Sequence, residues 1–354
     1  MRILLITPRP DSVGGIARWT EAFLNYSHEK FDAEIVDNSL LPSKKSKISV
    51  IFSQVKRTAS ILSNLSKKIK AQTVDVAHIN SSCTKLGVIR DYLCARKIAK
   101  NGIPIVLQCH CNIVDQLGTS RISNFYFKKL VCISERVFVL NRKSLDFVKI
   151  VSGEKGEICP NFIAKERVLT APKSISEDIG QITYVGHMYK SKGVFEVLEL
   201  AKAFPDISFK LVGPCTELLE TKTDIPQNVF FTGPLDADGV IRVLDESDVF
   251  VLLSYSEGFS NAMLEAMARG LPILATDVGA ARDMIEGNGG VIVAPDDRQA
   301  AKTAIEYMRP KSIREQMSVG NLEKVRKEYT SEAVLVKLEG IYASIAKQDF
   351  HVED

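Results

Sequence analysis

Apolar residues along the chain fall into short blocks, and the blocks alternate with stretches of helical period. Arg2–Thr7 (RILLIT) is an almost unbroken apolar block that ends in the Pro- and Gly-rich run 8–15, as a buried strand does before a turn. Ile16, Thr20, Phe23 and Leu24 then share one face of a helix predicted over Ile16–Tyr26. Further buried strands are predicted at Val74–Ile79, Ile103–Gln108 and Arg136–Leu140, with helices over Thr84–Lys100 and Ser120–Cys132 between them. Strands and helices that alternate in this way build a parallel, doubly wound sheet.

The pattern breaks after Cys159-Pro160-Asn161, where residues 164–180 turn polar and read as a linker. A second series follows, with strands at Ile182–Val185, Ser208–Val212, Val229–Phe231, Val249–Leu253, Pro272–Thr276 and Gly290–Val293. Its helices are predicted at Gly193–Ala203, Gly239–Glu246, Asn261–Arg269, Asp297–Met308 and Ser312–Tyr329. Residues 331–354 supply a last long helix, expected to pack back towards the N-terminal half, and then a tail. The expected architecture is α/β: two Rossmann-like doubly wound domains, residues 1–163 and 181–330, with a cleft between them.

Composition changes this picture little. The 354 residues are 45% hydrophobic and 25% charged, enough for two buried cores. No apolar stretch reaches membrane-spanning length, and the first strand begins too early for a signal peptide, so a cytoplasmic protein is expected. Seven cysteines, odd in number and without a CxxC pair, argue for buried thiols rather than a disulfide framework. Cys109-His110-Cys111 invites a metal, but alternation along an extended segment turns His110 away from both cysteines. No metal is expected there.

Charge adds more. Residues 1–165 carry 26 Lys+Arg against 13 Asp+Glu, and the remainder 20 against 30, so a net +3 conceals halves of +13 and −10. From Asn38 to Val74 there is no acidic residue, while Lys44, Lys45, Lys47, Lys56, Arg57, Lys67, Lys68 and Lys70 are present. Ile48, Ile51, Phe52, Val55, Ala59, Leu62, Leu65 and Ile69 recur there at helical spacing, giving an amphipathic helix roughly 30 Å long. Two uses fit such a helix: docking on an anionic inner-leaflet membrane surface, or packing on the domain with solvated charges. Nucleic acid is disfavoured, because aromatics are not interleaved among the cations.

Three strand-to-helix loops carry candidate chemistry, since open α/β sheets bind ligands at the carboxyl ends of their strands. Ser256-Glu257-Gly258-Phe259-Ser260-Asn261 leads into a helix that contains Glu265 and can be capped by Ser260 or Asn261. Two carboxylates eight positions apart can address two parts of one elongated, hydroxyl-rich ligand, and the helix N-terminus suits an anion. Gly186-His187-Met188-Tyr189-Lys190-Ser191-Lys192-Gly193 combines a close backbone approach with a compact charge suited to a diphosphate. Gly14-Gly15 opens the first helix, but it is not GxGxxG, and no acidic residue follows at the expected distance after a second strand, so a nicotinamide site is poorly supported.

With Val106-Leu-Gln-Cys-His110, Ile158-Cys-Pro-Asn161, Leu211-Val-Gly213 and Phe231-Thr-Gly-Pro-Leu235, these loops resemble the family 4 glycosyltransferases of the GT-B fold over nearly the whole chain. The most specific part is EGFSNAMLEAMARGLPILATDVG, which holds the Glu257-x7-Glu265 signature. The resemblance implies a retaining, metal-independent transfer from a UDP- or GDP-linked sugar, a substrate rather than a cofactor. It implies that Glu257 holds the donor sugar, Glu265 the ribose, Lys192 the diphosphate and Leu235 the base. Gly15, Gly186, His187, Lys190, Gly258, Phe259, Ser260 and Asn261 complete the donor site, and His110 lies beside the reacting sugar. The implied acceptor is a lipid-linked or other glycan intermediate in cell-surface polysaccharide synthesis. Departures are His187, where many members carry Arg, and Ala280 and Asp283, where Gly and Glu are commoner; Lys190 or a protonated His187 can compensate for the missing Arg. Two competing readings are a sugar-nucleotide epimerase of the same fold and an inactive donor-binding module.

Overall fold

The computed structural model describes residues 1–12, 14–27, 30–39, 47–215 and 225–346, with backbone alone at 47–51. Lys44 and Lys45 lie outside the described residues, and Lys47 is placed only as the first residue of a helix. The chain divides into two units, one formed by Met1–Asn161 with the chain from Val334 onward, the other by Phe162–Ala333.

The first unit holds a six-stranded sheet of β1 (Arg2–Thr7), β2 (Asp32–Asp37), β3 (Val76–Ser81), β4 (Ile105–Cys109), β5 (Arg136–Val139) and β6 (Gly156–Ile158), in the order β2-β1-β3-β4-β5-β6. All its pairs are parallel. Helices cover both faces, so the central strands β3 and β4 are buried at every position. The edge strand β2 escapes the apolar pattern because it is half-exposed and acidic, DAEIVD. It corrects the expectation about an acidic residue: Asp37 does end a second strand. Its carboxylate accepts from Ser39 N at 2.8 Å and lies 3.7 Å from Arg57.

The helix predicted between Asn38 and Val74 forms over Lys47–Ala71 and divides its length between two environments. Ile61 and Leu65 are buried in the core, with Leu62 and Ile69 packed against it, whereas Phe52 and Val55 stand 73% and 62% exposed. Lys68 pairs with Glu34 at 2.6 Å. Lys56, Lys67 and Lys70 are exposed.

The second unit repeats the architecture with β7 (Gln181–Val185), β8 (Ser208–Val212), β9 (Val229–Gly233), β10 (Val249–Leu252), β11 (Ile273–Thr276) and β12 (Gly290–Val293), in the order β12-β11-β10-β7-β8-β9. Strand order reverses between β7 and β10 here, and between β1 and β3 in the first unit. Those are the places where a doubly wound sheet opens a crevice for a ligand. Residues 164–180, read as a linker, are strapped to this unit. Asp248 accepts from the backbone of Gly180 and Gln181 at 2.8 and 2.9 Å, and buried Arg314 donates to the carbonyls of Ser176 and Glu177. In the helix Ser331–Ala346, Tyr342 is buried against His78 of the first unit.

Candidate active site

In the second unit two loops leave neighbouring strands at the reversal point and are tied together. After β7, Gly186 N bonds to Val212 O at 2.9 Å, Met188 N to Pro214 O at 3.2 Å, and the buried Tyr184 hydroxyl donates to His187 O at 2.8 Å. The loop closes in a 3-10 turn at Lys190–Lys192 and passes through Gly193, with φ +71°. A Cβ on Gly193 would stand 1.9 Å from Leu253 O, so only glycine lets this turn lie on the end of β10. From the β10 side, Tyr255 N donates to Ser191 O at 3.0 Å.

Glu257 sits where these loops meet, its side chain 11% exposed. Its Oε1 accepts from Lys192 Nζ at 2.7 Å and from the Ser254 hydroxyl at 2.8 Å. The carboxylate and the ammonium, assigned to different parts of a ligand in sequence, are thus one ion pair. Behind the loop, Ala280 N donates to Gly258 O at 3.1 Å, and a Cβ on Gly279 (φ +60°) would come within 2.3 Å of Glu257 O. The Val278-Gly279-Ala280 turn is therefore the backstop of the Glu257 loop. Ser260 caps the helix Asn261–Ala268 by accepting from Met263 N at 3.2 Å, Phe259 packs on Tyr329, and Glu265 stands half-buried in that helix. His187 stacks on Tyr189 with centroids 5.4 Å apart, Lys190 is exposed in the turn, and Leu235 stands 39% exposed after β9.

Sequence reasoning missed the groups that hold this pair. The Tyr255 hydroxyl donates to Glu196 Oε1 at 2.8 Å, joining the β10 loop to the helix Val194–Ala203 that follows Lys192-Gly193. Ser254 and Tyr255 directly follow an apolar strand, and polar residues at such an exit are the signal that could have found them.

In the first unit, Gly14 and Gly15 are exposed at the start of the helix Gly15–Ser27, beside the reversal point. Thr7, Asn80 and His110 end or follow β1, β3 and β4. Asn80 Nδ2 donates to Thr7 Oγ1 at 3.0 Å, so its Oδ1 takes the proton of His110 Nε2 at 2.7 Å. Burial pushes the His110 pKa down to about 4, only partly offset by a hydrogen bond with Asn161. The imidazole is neutral at pH 7, with its Nε2 proton directed at Asn80. Cys109 and Cys111 instead hydrogen-bond with Cys83, all seven cysteines are free, and no metal-ligating cluster occurs among the described residues.

Residues 168–319 match the family described as glycosyl transferases group 1. That match spans 152 of the 354 residues, all of them in the second unit. This glycosyltransferase is 26% identical over 309 residues to the N-acetyl-alpha-D-glucosaminyl L-malate synthase of Bacillus anthracis, covering 82% of this chain and 80% of the relative. It is 26% identical over 254 residues to the GDP-mannose:cellobiosyl-diphosphopolyprenol alpha-mannosyltransferase of Xanthomonas campestris, covering 67% and 65%. Among solved structures, a sucrose-phosphate synthase from Thermosynechococcus elongatus superposes with a TM-score of 0.77 at 16% identity, over 97% of this chain and 98% of that one. The glycosyltransferase has the GT-B fold.

Proposed function

We propose that this glycosyltransferase is a retaining, metal-independent hexosyltransferase. Its donor is a UDP- or GDP-linked sugar, and its acceptor a lipid-linked or other glycan intermediate of cell-surface polysaccharide synthesis at the cytoplasmic face of a membrane. The observation that carries this reading is the Glu257 carboxylate, held by Lys192 and Ser254 at the strand-order reversal of the second sheet. The Xanthomonas relative is named for a GDP-linked sugar and a diphosphopolyprenol-linked glycan, the classes proposed here, whereas the Bacillus relative is named for a glucosaminyl L-malate, whose L-malate part is neither glycan nor lipid.

In the proposed reaction the bond from the anomeric carbon to the leaving phosphate oxygen breaks. The acceptor oxygen bonds that carbon on the same face, and its proton passes to the leaving phosphate. Negative charge builds on the diphosphate, so the main task is electrostatic. Lys192 turns from Glu257 towards that charge, assisted by Lys190, His187 and backbone amides around Gly15, Gly186 and Gly258. Glu257 then accepts from sugar hydroxyls, Glu265 from the ribose, and Leu235 flanks the base. Neutral His110 can lie beside the sugar without repelling a developing positive anomeric centre. The groups named supply the positive charge, so the proposal includes no metal and no further cofactor.

Thermal stabilisation by a panel of sugar nucleotides identifies the donor. Proton NMR of the product then reads the anomeric configuration. Retention is expected, and an inverted product overturns the proposal. Nucleotide release with no acceptor-dependent glycoside points instead to an epimerase.

A further inference from the structure

The helices Lys47–Ala71, Lys85–Ala99 and Arg121–Ile133 connect β2 to β3, β3 to β4 and β4 to β5, so each step crosses the first sheet in the same direction. Right-handed crossovers then place all three on one face, and they pack side by side there, with Tyr92 on Tyr126 at 5.4 Å. Each starts at the carboxyl edge of the sheet, the edge that carries Gly15 and His110. The large apolar side chains exposed on these helices lie towards that edge: Phe52 and Val55 on the first, Leu86 on the second, and Ile122 and Phe125, 64% and 53% exposed, on the third.

Cations accompany them. Lys56, Lys85, Arg121, Lys128 and Lys129 are exposed, and Lys129 lies 5.2 Å from the Phe125 ring centre. The only acidic residue in the three helices is Asp91, which is buried and paired with Arg90 at 2.8 Å. The rim thus offers apolar side chains that can enter acyl chains, flanked by cations and without an exposed carboxylate on these helices to repel lipid phosphate.

We infer that this three-helix rim, and not the 47–71 helix alone, is the surface that seats on an anionic lipid bilayer. Ile122 and Phe125 are its central anchors. The inference rests on the proposed membrane-associated acceptor and adds the orientation: the carboxyl edge of the first sheet, with Gly15 and His110, faces the headgroups.

Co-sedimentation tests it, with vesicles of phosphatidylcholine alone and of an equal mixture with phosphatidylglycerol. Wild type is expected to pellet with the mixed vesicles, less so at high salt. Ile122→Asp/Phe125→Asp should lower the bound fraction about tenfold or more, since two exposed apolar side chains that would enter the bilayer are lost. Lys128→Glu/Lys129→Glu should lower it as well, and it changes only exposed groups, which guards against a folding artefact. Sugar-nucleotide stabilisation, which reports the second unit, should be unchanged in both. If wild type binds mixed vesicles and both double variants bind equally well, the rim is overturned while the membrane reading stands. If wild type binds neither vesicle, the membrane reading falls and the rim with it.

Discussion

Lys192 and Glu257 each have a charge to satisfy before any ligand arrives, and each satisfies the other. Breaking the pair should cost little stability, because Lys192 is one-third exposed and solvent can take over part of its role; we expect less than about 1 kcal/mol. The effect on turnover is larger, since charge on a leaving diphosphate peaks in the transition state. Lys192→Ala should lower kcat about 10²-fold or more in a steady-state assay at saturating donor. Tyr255→Phe removes the hydroxyl that donates to Glu196 and reaches Asp296 at 3.3 Å, worth about 1 kcal/mol, and should lower kcat severalfold with a small change in melting temperature. Glu257 and Lys192 were legible as candidates because they sit at strand exits, Glu265 through its spacing from Glu257, and His110 through the family resemblance. Their partners were not, since Lys192 and Glu257 are 65 positions apart and only the sheet order brings them together. Asn80, which orients His110, lies in β3 just past the strand predicted at Val74–Ile79.

At the scale of elements, two turns and one buried cation hold the second unit's loops. Gly279→Ala puts a methyl group against Glu257 O and should abolish turnover by displacing the loop, while the Asn261–Ala268 helix persists in circular dichroism. Arg314 is fully buried and donates to the carbonyls of Met308, Ser176 and Glu177, binding the 164–180 segment to a helix end. Arg314→Leu leaves those carbonyls unpaired and should cost about 2–4 kcal/mol in denaturant unfolding. The segment looked like a linker because its apolar residues are sparse, yet Val168, Ile175 and Ile179 are buried. Periodicity found the 47–71 helix but could not say which of its turns have a core beneath them. Ile61 and Leu65 do; Phe52 and Val55 do not.

For the whole molecule, two neutral histidines, His78 buried and His110 half-buried, make stability fall in acid. Burial lowers the pKa of His78 to about 3 and of His110 to about 4. In the unfolded chain both return to about 6.5, so below that pH the unfolded state binds protons the folded state refuses. Their stabilisation is complete above pH 6.5 and falls as pH drops, by about 2 kcal/mol each at pH 5. Urea unfolding at pH 5 and pH 7 measures it, and His78→Gln should make the difference smaller. Glu257 is proposed to hold the donor sugar during transfer. Nucleotide release should be measured in wild type and Glu257→Gln, at saturating concentration of the sugar nucleotide that stabilises the protein most. A fall of about 10²-fold or more with an unchanged melting temperature is the predicted result, and wild-type turnover in Glu257→Gln would contradict it.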